Sequence, residues 1–508
     1  MPDAPGMQAH SPDQQPDHPH DLSRHLDGRT LILLSNREPY EHVRGADGVV
    51  TASKPAGGLV SALDPTMQRT HGVWVAWGSG NADRETADEG GCVQVPPEDP
   101  AYTLRRVWLD EKDVDGYYLG FANSGLWPLC HLLVQHFHYR AEYWERYRDV
   151  NARFADAVAE QVDKAQGRAV VWVQDYHFAL APAMIRERAP GAFVHQFWHI
   201  PFPPPEILRL LPTAVHDAVI RGMLGNDLLE FHTERYAANF LACVRDAVPE
   251  AEVYGERNAI AYEGRTVQVG AFPISIDARA YEQRAASTDG ERRARELREQ
   301  HAANGRQLGV SVDRIDYTKG IPERLRAIDL FWSTHPEMCG RVTFIVVATP
   351  SRSELLAYTS LEEEVVDTVD EINARHGSRD WTPLVLVRDN VDADTLASIY
   401  RAGDVCLVSS LQDGMNLVAK EFVACQVDEH GVLVLSRFAG ASEEIEGALL
   451  INPFDVDGFV AGLHQAFTMP VDSRRRRMHA MREQLFQATI FDWLDAILAR
   501  VSTLTARP

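Results

Sequence analysis

Cysteine, lysine and long apolar runs are all scarce in this chain, and each shortage excludes something. The six cysteines, Cys92, Cys130, Cys243, Cys339, Cys406 and Cys425, are scattered and make no C-x-x-C pair. Neither a disulfide framework nor a zinc site is expected from them, and a reducing cytoplasm fits best. No apolar run approaches the roughly 18 residues of a membrane-spanning helix, and the N-terminus carries no apolar signal core. Basic residues are outnumbered, 50 against 73 acidic ones, for a net charge of -23. A nucleic-acid backbone demands a basic face, so that class of partner is excluded. An anionic small molecule would have to be met by a local cluster of Arg and Lys.

Only five of the 50 basic residues are lysine: Lys54, Lys112, Lys164, Lys319 and Lys420. In a chain that uses Arg almost everywhere, these mark candidate places for a compact point charge rather than a planar fork. What remains is an ordinary globular composition, 45% hydrophobic and 24% charged, over 508 residues, enough for two or three domains.

Residues 1–28 are rich in Pro, Asp, His and Gln and read as a disordered tail, with His18 and His20 solvated rather than metal-binding. From Thr30 onward, short apolar runs alternate with longer amphipathic stretches. The runs are Leu31 to Ser35, Ala169 to Val173, Phe193 to Trp198, Leu308 to Val312, Val342 to Val347, Leu384 to Val387, Val405 to Leu411 and Val432 to Ser436. β-Branched runs separated by helical segments predict parallel sheets with helical crossovers. They are too many for one sheet. Phe272-Pro-Ile-Ser-Ile-Asp277 reads as a linker, giving a first Rossmann-like domain over 29–272, a second over 273–480, and a helix over 481–508 that crosses back to the first.

The polar residues that look chemical follow the strands directly: Arg37, Asp175 and His199 in the first half, Arg314 and Arg352 in the second. In open parallel sheets, ligands bind outside the carboxyl ends of the strands. In the stretch Gln412-Asp413-Gly414-Met415-Asn416-Leu417-Val418-Ala-Lys420-Glu421, a strand delivers Asp413 to a glycine turn, and the amides of Met415 to Leu417 open a helix. Such a helix start can hold a diphosphate or sugar oxygens, and Glu421 offers two oxygens to a vicinal diol. Arg314 and Lys319 place two cations five residues apart at another strand end, where negative charge could develop on a leaving group. Gly57-Gly58 before an apolar helix allows close backbone approach to a phosphate or sugar, and Tyr117 to Pro128 sets aromatics beside polar groups.

Taken together, these segments resemble the trehalose-6-phosphate synthase family, retaining glycosyltransferases of the α/β GT-B architecture with two Rossmann-like domains facing across a cleft. The likeness runs from about Leu31 to Leu494 through Ser35-Asn-Arg37, Ala56-Gly-Gly-Leu59, Tyr118 to Trp127, Trp172-Val-Gln-Asp175-Tyr-His177, His199-Ile-Pro-Phe-Pro203, Arg314 to Lys319, Thr349-Pro-Ser-Arg352, Asp413 to Glu421 and Phe438-Ala-Gly440. The resemblance implies a donor set of Gly58, His199, Arg314, Lys319, Asp413, Met415, Asn416, Leu417, Val418 and Glu421, with the cations on the diphosphate and Glu421 on the ribose. It implies an acceptor set of Arg37, Trp77, Tyr118, Trp127, Asp175 and Arg352, and a catalytic group of Asp175, His199, Arg314, Lys319 and Asp413. The co-substrates implied are a nucleoside-diphosphate glucose and glucose 6-phosphate, with no cofactor, no metal, and homo-oligomerisation left open. The leaving phosphate would accept the acceptor's proton on the same face of the sugar, so no enzyme nucleophile is needed.

Two departures bear on the donor base. Gln412 stands where the family commonly has Arg, and Glu230-Phe-His-Thr replaces Gly-Phe-Gln-Thr. Arg37-Glu38-Pro39-Tyr40 is also similar to glucosylglycerol-phosphate synthases, whose acceptor is glycerol 3-phosphate, whereas Arg352 favours a hexose phosphate. A dehydrogenase is disfavoured because no G-x-G-x-x-G follows a strand. Asp455-Val-Asp457-Gly458 imitates a phosphatase motif but reads as a surface turn, and Arg474 to Arg477 as an exposed helix face.

Overall fold

The computed structural model describes residues 22–54, 58–352 and 354–506. His18 and His20, with the rest of 1–21, and Pro55 to Gly57 of the glycine motif lie outside the described residues.

Every apolar run named above becomes a strand, and all but the edge strand Leu384–Val387, where only Leu384 is buried, are covered on both faces by helical layers. They form two large sheets. In the second, the parallel order is Leu384–Val387, Val342–Thr349, Gln307–Arg314, Val405–Val408, Val432–Ser436, Leu449–Ile451. Numbered along the chain this is 3-2-1-4-5-6, the Rossmann order, and it reverses between Gln307–Arg314 and Val405–Val408. The first sheet has ten strands. Its parallel core repeats the scheme, with Thr30–Arg37 beside Val73–Trp77 and then Tyr102–Val107 on one flank. On the other flank it runs through Ala169–Gln174, Phe193–Phe197, Leu228–Phe231 and Arg265–Ala271. Here the reversal falls between Thr30–Arg37 and Ala169–Gln174. Each sheet therefore opens a crevice at one place on its carboxyl edge, and the two form the GT-B α/β architecture.

The chain passes between the sheets at Phe272 to Asp277, which is irregular, with Ile274 and Ile276 buried. Lys420 fastens it: its Nζ donates to the Ile274 carbonyl at 2.7 Å and pairs with Glu444 at 2.7 Å. Asp277 caps the next helix, Ala278–Ala286, by accepting from Ala280 N.

Three details differ from the sequence reading. Residues 22–28, read as tail, are ordered: Leu22 and Leu26 lie four apart and bury themselves, while Arg24 and His25 pair with Asp495 at 2.8 and 2.9 Å. Polar composition hid a two-leucine anchor. The returning helix begins later than 481, at Ile490–Thr505 with a Thr489 capping box, since 481–487 continue the helix Val471–Gln487. It lies on the first sheet, with Trp493 5.8 Å from Trp172 and 5.0 Å from Phe197. Arg474 turns inward, giving its guanidinium to the Ala466, Phe467 and Met469 carbonyls that end the preceding helix. Asp455 caps the helix Val456–Thr468 through Gly458 N, as a surface turn does.

Candidate active site

The crevice of the second sheet is lined by the Lys319–Asp413 pair. Lys319 stands at the end of a short turn after Gln307–Arg314, and Gly320 follows at φ +62°. A Cβ at Gly320 would meet the Ser409 carbonyl at 2.4 Å, so glycine lets the two strand ends close on each other. Lys319 Nζ donates to Asp413 Oδ2 at 2.6 Å, and Ser410 Oγ and Asn416 Nδ2 donate to the same oxygen, each at 3.1 Å. Burial alone would raise the Asp413 carboxyl, but Lys319 and these hydrogen bonds hold it down to about 2. Lys319 is likewise kept charged against burial by Asp413, Asp313 and Asp316.

The strand before Asp413 stops at Val408, and Asn416, at φ +76°, caps the helix Leu417–Cys425 through Ala419 N. The Leu417 and Val418 amides thus precede the first intrahelical bond and face outward from a positive helix end. Glu421 lies one turn in, its oxygens accepting from Tyr281 and Tyr400 hydroxyls at 2.9 and 2.8 Å. Each carboxylate oxygen has a second lone pair for a diol. Arg314 is exposed at its strand end; the acids that could have claimed it are engaged elsewhere, Asp313 by Arg324 and Asp316 by Arg352.

The first sheet supplies the facing wall. Asp175, next to the reversal, adopts φ +70°, ψ -178°, a region almost restricted to glycine. Its Oδ1 accepts from His199 N at 3.0 Å. Burial raises its carboxyl to about 7, with the His199, Tyr176 and Ile200 amides opposing. His199 Nε2 meets Gln174 Oε1 at 2.9 Å, and burial beside His232 and His195 keeps the ring well below the usual imidazole range, hence neutral. Gly414 packs directly on this histidine's backbone.

Arg37, Trp77, Tyr118, Trp127 and Arg352 converge. Tyr118 is carried by a run of π-helical turns, Val114–Leu126, and lies 6.2 Å from the Trp77 ring. Its hydroxyl faces the Arg352 and Arg37 guanidiniums, which hold it below the usual phenol range despite burial. Arg352 reaches over from the second unit: its guanidinium sits 4.2 Å above the Trp127 ring, and its Nη1 donates to Asp316 Oδ2 at 2.8 Å and Tyr358 at 2.6 Å. Gly58 opens the helix Gly58–Thr70 beside the residues outside the description.

One side chain at the site, His131, went unremarked in the sequence, and His177 was named only within a motif. His131 is buried with its ring 4.1 Å from Trp127 and Nδ1 2.7 Å from the Trp127 carbonyl; burial holds it to about 4. His177 stacks on Tyr118 at 5.8 Å. The i,i+4 spacing of Trp127 and His131 was the one local signal for the former. Gln412 donates to the Tyr236 hydroxyl at 3.3 Å, and that hydroxyl donates to the Asp413 carbonyl at 3.0 Å, so this departure is spent on a contact between units. Glu230 is fully buried, with Oε2 2.8 Å from His195 Nε2.

The match to known proteins agrees with this geometry. The family model described as Glycosyltransferase family 20 matches residues 29–503. The trehalose-6-phosphate synthase of Mycolicibacterium vanbaalenii is 38% identical over 483 residues, 93% of this chain and 96% of that one. Among solved structures, the UDP-forming α,α-trehalose-phosphate synthase of Burkholderia xenovorans in complex with glucose-6-phosphate aligns with a TM-score of 0.80 and 31% identity, over 93% of this chain and 100% of that one. The E. coli trehalose-6-phosphate protein bound with UDP-2-fluoro glucose aligns at 0.82 and 30%, over 94% and 99%. With two Rossmann-ordered sheets facing across a cleft and a family match that spans both, this chain belongs to glycosyltransferase family 20.

Proposed function

We propose that the protein transfers glucose, with retained configuration, from a nucleoside-diphosphate glucose to glucose 6-phosphate, forming α,α-trehalose 6-phosphate. The observation that carries this is Arg352 of the second unit lying 4.2 Å over Trp127 of the first, with Tyr118 and Arg37 beside it. Two guanidiniums and a phenol beside an indole suit a phosphate attached to a hexose. The Lys319–Asp413 pair and the exposed Arg314 stand at the other crevice, where a diphosphate leaves. The relatives bound to glucose-6-phosphate and to a UDP-glucose analogue support both halves of this assignment.

In this reading Lys319 and Arg314 take up charge as it develops on the leaving diphosphate, helped by the positive end of Leu417–Cys425. Neutral His199 and the Leu417 and Val418 amides hold the glucose, and Glu421 holds the ribose. Neither aspartate is suited to attack the sugar. Asp413 already accepts three hydrogen bonds on one oxygen, and Asp175 binds its proton up to about 7. Transfer therefore runs on one face, the departing phosphate accepting the acceptor's proton. Asp175 accepts from acceptor hydroxyls, and closure of the units excludes water.

The test is a matrix of UDP-, ADP- and GDP-glucose against glucose 6-phosphate and glycerol 3-phosphate, with products identified by mass. Trehalose 6-phosphate with one or more donors is expected; turnover with glycerol 3-phosphate alone would overturn the proposal.

A further inference from the structure

Behind the acceptor wall, where Thr30–Arg37 and Val73–Trp77 end, lies a buried ion network that the proposed reaction does not use. Arg106, on Tyr102–Val107, is fully buried, and so are the Glu38 and Asp83 carboxyls beside it. The guanidinium spends its donors inward. Its Nε donates to Glu38 Oε2 at 2.7 Å, and its Nη1 to Thr86 Oγ1 at 3.1 Å and the Asp83 carbonyl at 3.2 Å. Its Nη2 donates to the Tyr40 carbonyl at 3.0 Å and to His42 Nδ1 at 2.7 Å, and pairs with Asp83 Oδ1 at 2.8 Å. The carboxyls extend the hold: Glu38 Oε1 accepts from Ser79 N at 2.8 Å, and Asp83 accepts from His42 N at 2.7 Å and Gly80 N at 2.6 Å. Arg106 thus ties the end of Thr30–Arg37 to the turn after Val73–Trp77, the hairpin strand Glu41–Arg44 and the short helix Asp83–Thr86.

We propose that Arg106, with Glu38 and Asp83, is a positioning residue of the acceptor site: it aims Arg37 and Trp77 at the phosphate without touching substrate. This rests on the acceptor assignment made above. The strand register shows why aim is at stake. Leu34 pairs with Val75 and Arg37 with Trp77, so Thr30–Arg37 carries one residue more than its partner just before Arg37. An extra residue locally breaks the ladder and re-aims the side chains beside it. From one side the irregularity is held by Ser35 Oγ, which accepts from Trp74 Nε1 at 2.7 Å and donates to the Arg37 carbonyl at 2.6 Å. From the other it is held by Glu38, the residue directly after Arg37. Ser79 lies two residues beyond Trp77, so the carboxyl that Arg106 grips also sets the distance between the two acceptor residues.

The charges make this hold depend on one proton. Around Glu38 stand Arg106, Asp83 and, from the hairpin, His42 and Glu41, the last reaching Ser79 Oγ at 3.2 Å. A guanidinium only donates, so His42 Nδ1 accepts, and burial together with Arg106 keeps that ring below the usual imidazole range. One fixed cation therefore faces two buried carboxyls. Burial first, and then the hydrogen bond to Asp83, push Glu38 up to about 8 against the pull of Arg106. At neutral pH Glu38 keeps its proton and the network is balanced. Above about pH 8 the proton leaves, and two carboxylates repel each other across one guanidinium.

The experiment is steady-state kinetics of the full-length protein from about pH 7 to about pH 9, with separate KM values for glucose 6-phosphate and for the nucleoside-diphosphate glucose. Wild type is compared with Glu38→Gln, Arg106→Lys and Arg37→Ala. Gln reproduces the protonated carboxyl, one acceptor and one donor, and does not titrate. The wild-type acceptor KM should rise about tenfold over that range, as the protonated fraction of a group titrating near 8 falls, while the donor KM stays within about threefold. In Glu38→Gln the acceptor KM should not change with pH. An alkaline rise due to Tyr118, which Arg352 and Arg37 hold below the usual phenol range against burial, would persist in that variant. Arg106→Lys keeps the charge but loses the planar fork, and should raise the acceptor KM about tenfold or more at pH 7 with little change for donor. An alkaline rise that is absent from the wild type, or that persists in Glu38→Gln, would overturn the proposal, as would equal shifts of both constants in Arg106→Lys. Arg37→Ala separates the two readings. If it raises the acceptor KM while the pH comparison fails, only the positioning role falls; if it leaves the acceptor KM unchanged, the acceptor assignment falls with it. Thermal melts at each pH show which variants fold, and if Arg106→Lys does not, the wild-type and Glu38→Gln profiles decide.

Discussion

The backbone of Gly414 lies against His199 so closely that a Cβ added there would come within 2.1 Å of the His199 carbonyl oxygen and 3.1 Å of Ile200 Cα. The contact joins the two units at the point where the donor side meets the facing wall. Neither obstacle is a side chain that can rotate away. Gly414→Ala should therefore prise the units apart and lower kcat/KM about 100-fold, the usual cost of a misplacement near 1 Å. Steady-state kinetics within threefold of wild type would show that the reacting complex does not close this far.

Arg352→Ala should raise the KM for glucose 6-phosphate roughly 10- to 100-fold, the worth of a charge-assisted hydrogen bond of about 1.5–3 kcal/mol. The KM for donor should move far less. Equal effects on both constants would remove Arg352 from the acceptor site.

Lys319→Gln should cut kcat about 10²- to 10³-fold, the range for removing one group that stabilises developing charge. The acceptor KM should stay within a few-fold. A loss confined to donor KM would instead make Lys319 a ground-state contact.

Tyr281→Phe and Tyr400→Phe each take one donor from Glu421, whose carboxyl burial already pushes up. Combined, they should raise the donor KM about tenfold by letting the carboxylate lose its orientation or its charge. A shift in acceptor KM of the same size would argue against a ribose contact at Glu421.

Asp175 supplies a pH test. Its folded pKa of about 7 lies above the ordinary 3.8, so the folded state holds the proton more tightly than the unfolded chain. This contribution is complete below pH 3.8, declines as pH rises toward 7, and is gone above it. Relative to Asp175→Asn, the wild type should thus lose on the order of 4 kcal/mol across that window, from about three pKa units. Denaturant unfolding of both proteins between pH 4 and 8 measures the difference. Parallel stability curves would mean that Asp175 is solvated.

The strands were legible because Val342–Thr349 or Ala169–Gln174 need apolar residues on both faces, which leaves an unbroken run. Tyr102–Val107 escaped notice because it alternates with Thr103 and Arg105 and carries Arg106, a buried cation whose partners Glu38 and Asp83 come from other segments. Asp413 and Lys319 were each found from their own turns. That they touch could not be read from either turn, since 94 residues separate them. The same holds for Arg352 on Trp127: a strand end says that a side chain points into a crevice, not what it meets across it.

The returning helix Ile490–Thr505 has a consequence for how the molecule can be divided and how it can move. Two crossings, at Phe272 to Asp277 and near Ala488, tie the units, and the carbonyl of the same Ile276 that lies in the first accepts from Ile490 N at the second. They lie side by side, so relative motion of the units should be confined to rotation about their common line, with twist and separation straining both crossings at once. The first unit is a discontinuous folding unit, so a fragment ending near residue 272 would expose the faces of Trp172 and Phe197 that Trp493 covers. Co-expressed halves cut at the linker should therefore need the last helix to reassemble, beside the smaller contacts across the cleft, and a shortened C-terminus should disturb the acceptor wall before the donor crevice.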